Sequence, residues 1–166
     1  MGIYVKDVID LIIRPALSGI SLGGEAAVQL LAGTCAQESG MGSNLKQVSG
    51  PALGLFQIEP ATHADIHNNC LRFHSDLASK IYSVCGMAWQ NIGTIPWDEL
   101  LVYNLRYAAC MARVKYYRTS APLPALNDIE GQANYWKTIY NTAGGAGETN
   151  DYLASYVKYV QPYYNK

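Results

Sequence analysis

The sequence has no block of like charges: twelve Lys and Arg stand against thirteen Asp and Glu in 166 residues, a formal net charge of −1. A dedicated nucleic-acid surface is therefore not expected, because phosphate recognition gathers basic residues on one face. Long apolar runs are missing too. The longest stretch without a formal charge, Ile81 to Trp97, is broken by Ser83, Gly86, Gln90, Asn91, Gly93 and Pro96. That pattern argues against a membrane span. Near the amino terminus, Asp7, Asp10 and Arg14 punctuate the only apolar stretch, where a secretory signal would be unbroken. The expectation is a chain made in the cytoplasm that needs help to reach any target outside it.

Metal and nucleotide motifs are also lacking. The four cysteines Cys35, Cys70, Cys85 and Cys110 form no Cys-x-x-Cys pair, so a zinc cluster is not expected. Cys35 and Cys110 lie among apolar residues, where a thiol packs as a small hydrophobe. Cys70 and Cys85 are spaced to close a loop, but free thiols are the expectation for a chain without a signal. His63 and His67 have the i, i+4 spacing of a zinc helix, yet Ala64 stands where HExxH requires Glu. Gly144, Gly145 and Gly147 lack the Lys of a phosphate loop. Neither a metal nor a cofactor is predicted.

What the chain does have is apolar content, 49% against 15% charged, enough to bury a core and too much for disorder. Its length fits a single domain over residues 1–166. Apolar positions recur at helical spacing and no strand alternation is convincing, so the predicted fold class is all-α (or α-dominated α+β). The first helix covers about 4–17, with Pro15 limiting its end. A second, over 25–39, aligns Ala27, Leu31, Thr34 and Glu38 at steps of four, three and four, with Gly40 as its stop. Further helices are predicted from a Thr62 cap, over 75–85, over 98–118 with Asn104 on the inner stripe, and over 129–141. An irregular stretch runs up to Trp97. Asn150 or Asp151 caps a last helix, whose stripe of Tyr152, Tyr156, Tyr159 and Tyr163 packs with its hydroxyls at the surface, before Pro162 ends it. Trp89, Trp97 and Trp136 are read as core residues.

Glu38 falls at the last turn of the second helix, on its packing face. A carboxylate there loses hydration, which disfavours its charge and raises its pKa. Such a group stays protonated near neutrality and can donate a proton. The alternative is a helix-end residue pointing into water, the usual place for Glu. Two later segments bear on the choice. In GPALGLFQIEPAT, Gly50 to Thr62, Gln57 sits among apolar residues behind two glycines. In IYNTAGGAG, Ile139 to Gly147, Tyr140 and Asn141 sit at a helix end beside a glycine turn.

Glu38-Ser39, then Gly54-Leu55-Phe56-Gln57 with Pro60 and Thr62 behind it, then Tyr140-Asn141 with Ala143-Gly144 behind it, occur in that order. Together they resemble the catalytic domain of soluble-type lytic transglycosylases and goose-type lysozymes, over residues 25–147. Asn104 with Tyr107 is a weaker further match. Phe56 replaces the usual Met, Thr142 separates Asn141 from Ala143, and Pro51 and Leu53 alter the glycine-rich lead-in. These departures bear on groove shape more than on chemistry. The pattern looks closest to bacteriophage-encoded members.

The resemblance implies a compact lysozyme-like helical domain with a substrate groove. It further implies an enzyme that degrades peptidoglycan by cleaving the β-1,4 bond between N-acetylmuramic acid and N-acetylglucosamine. Glu38 is then the acid and afterwards the base. In a transglycosylase the muramic 6-hydroxyl closes a 1,6-anhydro ring; in a lysozyme water attacks instead. A one-carboxylate site favours the first outcome, since most glycosidases need two carboxylates. Glu59 and Glu148 flank the motifs as candidates for a second, each with the plainer reading of a solvated loop residue.

In the supporting roles implied, Ser39 holds Glu38 or its neighbouring backbone, and Gln57 donates to a sugar. Tyr140 hydrogen-bonds Glu38, Asn141 closes the glycine turn, and Asn104 ties helices together. Thirteen tyrosines against two phenylalanines suit a sugar-rich partner, whose rings stack on aromatic faces. The implied partners are peptidoglycan glycan strands, with phage virion proteins or a holin for delivery to the cell wall. A hydrolytic muramidase or endolysin on the same scaffold, and a virion structural protein that binds without cutting, stay open as alternatives.

Overall fold

A computed structural model describes residues 2–87, 97–141 and 145–165. Among them the fold is all-α, with no sheet and only isolated bridges that pair Leu53 with Lys46 and with Ile58. The helices are α1 (5–19), α2 (Glu25–Ser39), α3 (Pro60–Asn69), α4 (Ser75–Val84), α5 (Leu100–Tyr103), α6 (Leu105–Tyr117), α7 (129–141) and α8 (149–164). The irregular stretch predicted before Trp97, together with Trp89, falls within 88–96, outside the described residues. So do Thr142, Ala143 and Gly144 of the third motif. No helix among the described residues is long and apolar enough to cross a membrane.

The centre of the molecule is α2. Its periodicity predicts one packing face, but every residue from Ala27 to Ala36 is buried, and so is Ser39. Helices α1, α6 and α8 enclose it, the arrangement expected of a helix that is apolar all round. Gly40 closes it as predicted, in the left-handed region at φ 55°, where a residue without Cβ fits at little cost.

Both prolines expected to stop a helix lie inside one. A wider π-type turn precedes each: Val8–Ile13 before Pro15, and Tyr156–Val160 before Pro162. The Arg14 N–H reaches back to the Ile9 carbonyl and the Gln161 N–H to that of Tyr156. This five-residue reach makes room where the proline ring would otherwise clash. Pro15 has no N–H to offer the Leu11 carbonyl four residues back, and that carbonyl accepts from Arg106 Nη2 at 3.4 Å.

Three other boundaries differ from the sequence reading. Helix α3 starts at Pro60, whose missing N–H is harmless in a first turn, so Thr62 lies inside it. The helix predicted over 98–118 is broken at Asn104. That residue caps α6 by accepting from the Tyr107 N–H at 3.1 Å, and it donates to the Cys85 carbonyl at 3.0 Å. Its side chain competes with the helical ladder, as Asn side chains do. The last helix begins after Glu148, whose N–H is taken by the Asp151 carboxylate at 2.8 Å.

The tyrosine stripe of α8 packs as predicted, but two of its hydroxyls stay inside. Tyr152 Oη donates to the Leu30 carbonyl at 3.2 Å, and Tyr156 Oη accepts from Gln29 Nε2 at 2.9 Å. Trp136 is core, whereas Trp97 is 79% exposed and is not. All four cysteines are free thiols.

Candidate active site

Glu38, at the end of α2, lines a cleft of about 490 Å³ together with Gln57, Glu59, Thr62, Lys115, Tyr140 and Asn141. The volume falls in the range of ordinary small-molecule sites. Residues separated by a hundred positions in the chain therefore share one concave surface. Side-chain bonds to backbone hold them there.

Ser39 is the first of these ties. Its Oγ donates to the Leu55 carbonyl at 2.6 Å and accepts from the Gly42 N–H at 2.9 Å. It is buried and makes no bond to Glu38, so it fixes the helix end against the 54–57 turn. Within that turn Gly54 has φ 76°, and a Cβ there would overlap the Leu101 carbonyl. Any larger residue would push the turn off α5. Gln57 is also left-handed, at φ 45°, a conformation that costs a non-glycine residue energy and marks a position held by its surroundings.

The Gln57 side chain supplies part of that hold. Its Nε2 donates to the Gly54 carbonyl at 2.8 Å and the Asn44 carbonyl at 3.3 Å. Two carbonyl neighbours fix which end of the amide faces them. Both donors are thus occupied, and the predicted donation to a ligand is replaced by an acceptor, Oε1.

The third motif closes the other wall. Tyr140 was expected to bond Glu38, but its hydroxyl donates to the Phe56 carbonyl at 2.8 Å. It ties α7 to the 54–57 turn. Asn141 Nδ2 donates to the Gly147 carbonyl at 2.8 Å, and Lys137 Nζ joins the Gly145 and Gly147 carbonyls at 2.9 and 2.7 Å. Asn141 is thus bonded to the backbone of Gly147, on the far side of the glycine run, in keeping with the role expected for it. Asn104 lies outside the cleft lining, and its bonds are those of a helix cap.

The partner that sequence reasoning missed for Glu38 is Trp136. Its Nε1–H donates to Glu38 Oε1 at 2.8 Å. Burial pushes the Glu38 carboxyl up to about 7, against the pull of Trp136 and of the Lys115 cation. Lys115 was also missed. Its Nζ donates to the Tyr140 carbonyl at 2.6 Å and lies 3.9 Å over the Tyr140 ring. A signal existed for both. Trp136 is four residues before Tyr140, hence on the same helical face. The series Asn104, Ala108, Met111 reaches Lys115 by the same four, three and four steps that lead to Glu38.

Of the two further carboxylates, Glu59 lines the cleft and Glu148 does not. Glu148 is 72% exposed at its side chain and lies 3.7 Å from Lys137 Nζ. Among the described residues no cluster of three or more His, Cys, Asp or Glu is placed to hold a metal ion. Chemically, the cleft offers one carboxyl pushed up towards neutrality by burial, a cation anchored on Tyr140, and a rim of amide and carbonyl groups. Such a set can pass a proton to a ligand and take it back.

No protein-family model, curated protein or solved structure matches this chain.

Proposed function

We propose that this chain is an enzyme that cleaves the glycan strands of bacterial peptidoglycan, with Glu38 as acid and then base. One observation supports the reading most: a half-buried glutamic acid, pushed up to about 7 by loss of hydration, lines a cleft of about 490 Å³. A carboxyl raised that far can carry, at neutral pH, the proton that a glycosidic oxygen must receive. The shared cleft of Glu38, Gln57, Tyr140 and Asn141 supports it further.

In the first step Glu38 passes its proton to the bridging oxygen. The bond from that oxygen to C1 of the muramic residue breaks, its electron pair staying with the oxygen. The C1 centre becomes oxocarbenium-like. In the second step the Glu38 carboxylate takes the proton of the muramic 6-hydroxyl, and that oxygen bonds to C1. The products are a free 4-hydroxyl and a 1,6-anhydro end, and Glu38 is protonated again. Gln57 Oε1 is the acceptor suited to a substrate acetamido N–H.

Glu59 on the same cleft favours a second reading, hydrolysis, in which a second carboxylate directs water to C1. Mass spectrometry of digested sacculi separates the two. Anhydromuropeptides are the expected products, and reducing-end muramic acid alone would replace the first reading by the second. Glu38→Gln is expected to lower the clearing of a sacculus suspension by about 10²- to 10⁴-fold with the fold retained, since the swap is nearly isosteric but supplies no proton. Equal clearing by both proteins would remove Glu38 from the chemistry.

A further inference from the structure

The cleft holds two carboxylates, and the proposed reaction needs them in different states: Glu38 protonated, then transiently charged, and Glu59 left out of the proton transfer. Lys115 stands between these demands. It lines the cleft with both, and the charges of both act on it. Its position is fixed from two sides, by the Tyr140 carbonyl at 2.6 Å and the Tyr140 ring face at 3.9 Å. A carbonyl dipole and an aromatic face both favour a cation. The chain thus anchors an ammonium where a long flexible side chain would otherwise swing into solvent.

We propose that Lys115 is a positioning residue for Glu38: its anchored ammonium receives the negative charge left on that carboxyl when the proton passes to the leaving oxygen. A fixed charge aimed at where charge develops lowers the barrier without reorganisation at the moment of reaction. The other groups facing Glu38 cannot take this part. Trp136 contributes a neutral N–H. Cys35 on α2, Tyr116 on α6 and Tyr140 on α7 interact with the Glu38 charge, and burial pushes each of them up, so all three stay neutral. Burial pulls Lys115 down, while Glu38 and Glu59 hold it up.

The catalytic part of this assignment rests on the proposed glycan cleavage, but the charge coupling does not, and the test separates them. Carbon-detected NMR titration of the Glu38 carboxyl, on the protein without substrate, reads its midpoint directly. Lys115→Gln can still donate to the Tyr140 carbonyl but carries no charge, whereas Lys115→Arg keeps the charge. The expected result is a midpoint raised by about half a unit in the Gln variant, roughly threefold in proton affinity, and near the parent's in the Arg variant.

Lys115→Met, of similar length without charge or donor, repeats the measurement if the Gln variant does not fold. An unchanged midpoint in a folded uncharged variant overturns the proposal. In sacculus digestion the alkaline limb of the pH profile is expected to rise with the NMR midpoint. A midpoint that rises in a protein that cleaves no glycan would keep the coupling and remove the catalytic reading.

Discussion

The cleft around Glu38 and the cluster around Tyr107 bury ionisable groups for the same physical reason and end differently. Burial pushes Glu38 up to about 7 and pulls His67 down to about 4, and each shift favours the neutral form. Around Tyr107 the hydroxyl and three ring nitrogens are joined in one chain. His63 Nδ1 lies 2.7 Å from Asp98 Oδ1, and the hydroxyl of Tyr107 lies 2.6 Å from His63 Nε2 and 2.8 Å from His67 Nε2.

One assignment of protons serves them all. His63 Nδ1–H donates to Asp98, Tyr107 donates to His63 Nε2, and His67 Nε2–H donates to Tyr107. Such a chain of bonds holds α3 to α6 and commits the Tyr107 hydroxyl and both His63 nitrogens to partners within the fold. Among the described residues Glu38 has one side-chain bond, from Trp136, and an open cleft beside it. A perturbed pKa marks both places; unfinished hydrogen bonding beside a cleft is what separates a candidate site from a brace.

The largest effect that tests this contrast is on activity. Glu38→Gln is expected to cost the roughly 10²- to 10⁴-fold given above, while Tyr107→Phe leaves the alkaline limb of the pH profile where it is. Stability gives the next largest. The folded Glu38 pKa lies above its unfolded value, so its contribution is full below about 4.5 and lost as pH rises towards 7. His67 runs the other way: its folded pKa lies below 6.5, so its contribution is full above 6.5 and lost as pH falls towards 4.

The two slopes oppose each other across the shared window. In Glu38→Gln the Glu38 slope is gone while the His67 slope remains. The variant's stability relative to the parent should therefore climb by roughly 3 kcal/mol between pH 4.5 and pH 7, read from denaturant titrations at each pH. A flat difference would mean that Glu38 is solvated in the folded protein. Somewhat smaller is the cost of Tyr107→Phe itself, about 2 kcal/mol at neutral pH, because both imidazoles lose their shared partner in a buried place.

Much of this was legible from the chain. The bounds of α2, its glycine stop and the placing of Glu38 at its last turn follow from apolar spacing and one residue without Cβ. The order of the three motifs pointed to residues that the fold does bring together. Partner identity was hidden, because it depends on how helices distant in sequence cross. Tyr140 and Trp136 share a face of α7, and only the packing of α7 on α2 decides that the indole, rather than the phenol, meets the carboxylate. The prolines misled for a related reason. Periodicity at 3.6 residues has no place for the wider turns before Pro15 and Pro162. Lys115 was hidden because a cation is not what apolar spacing leads one to look for, although it lies one step beyond Asn104, Ala108 and Met111 on the same period of α6.

Asn104 gives the smallest test. It was grouped with the site by motif, yet its bonds place it with the Tyr107 brace: it caps α6 three residues before Tyr107 and reaches across to Cys85. Asn104→Ala removes the cap and the Cys85 contact together, an expected loss of about 1 to 2 kcal/mol in denaturant midpoint experiments. Asn104→Asp keeps an acceptor at a helix start, where a negative charge is favoured, and should recover part of that loss without restoring the Cys85 bond. Neither variant should move the Glu38 midpoint. A shift of that midpoint in Asn104→Ala, measured by the same carboxyl titration, would show that brace and cleft are coupled through α6, and that the separation drawn between them is too sharp.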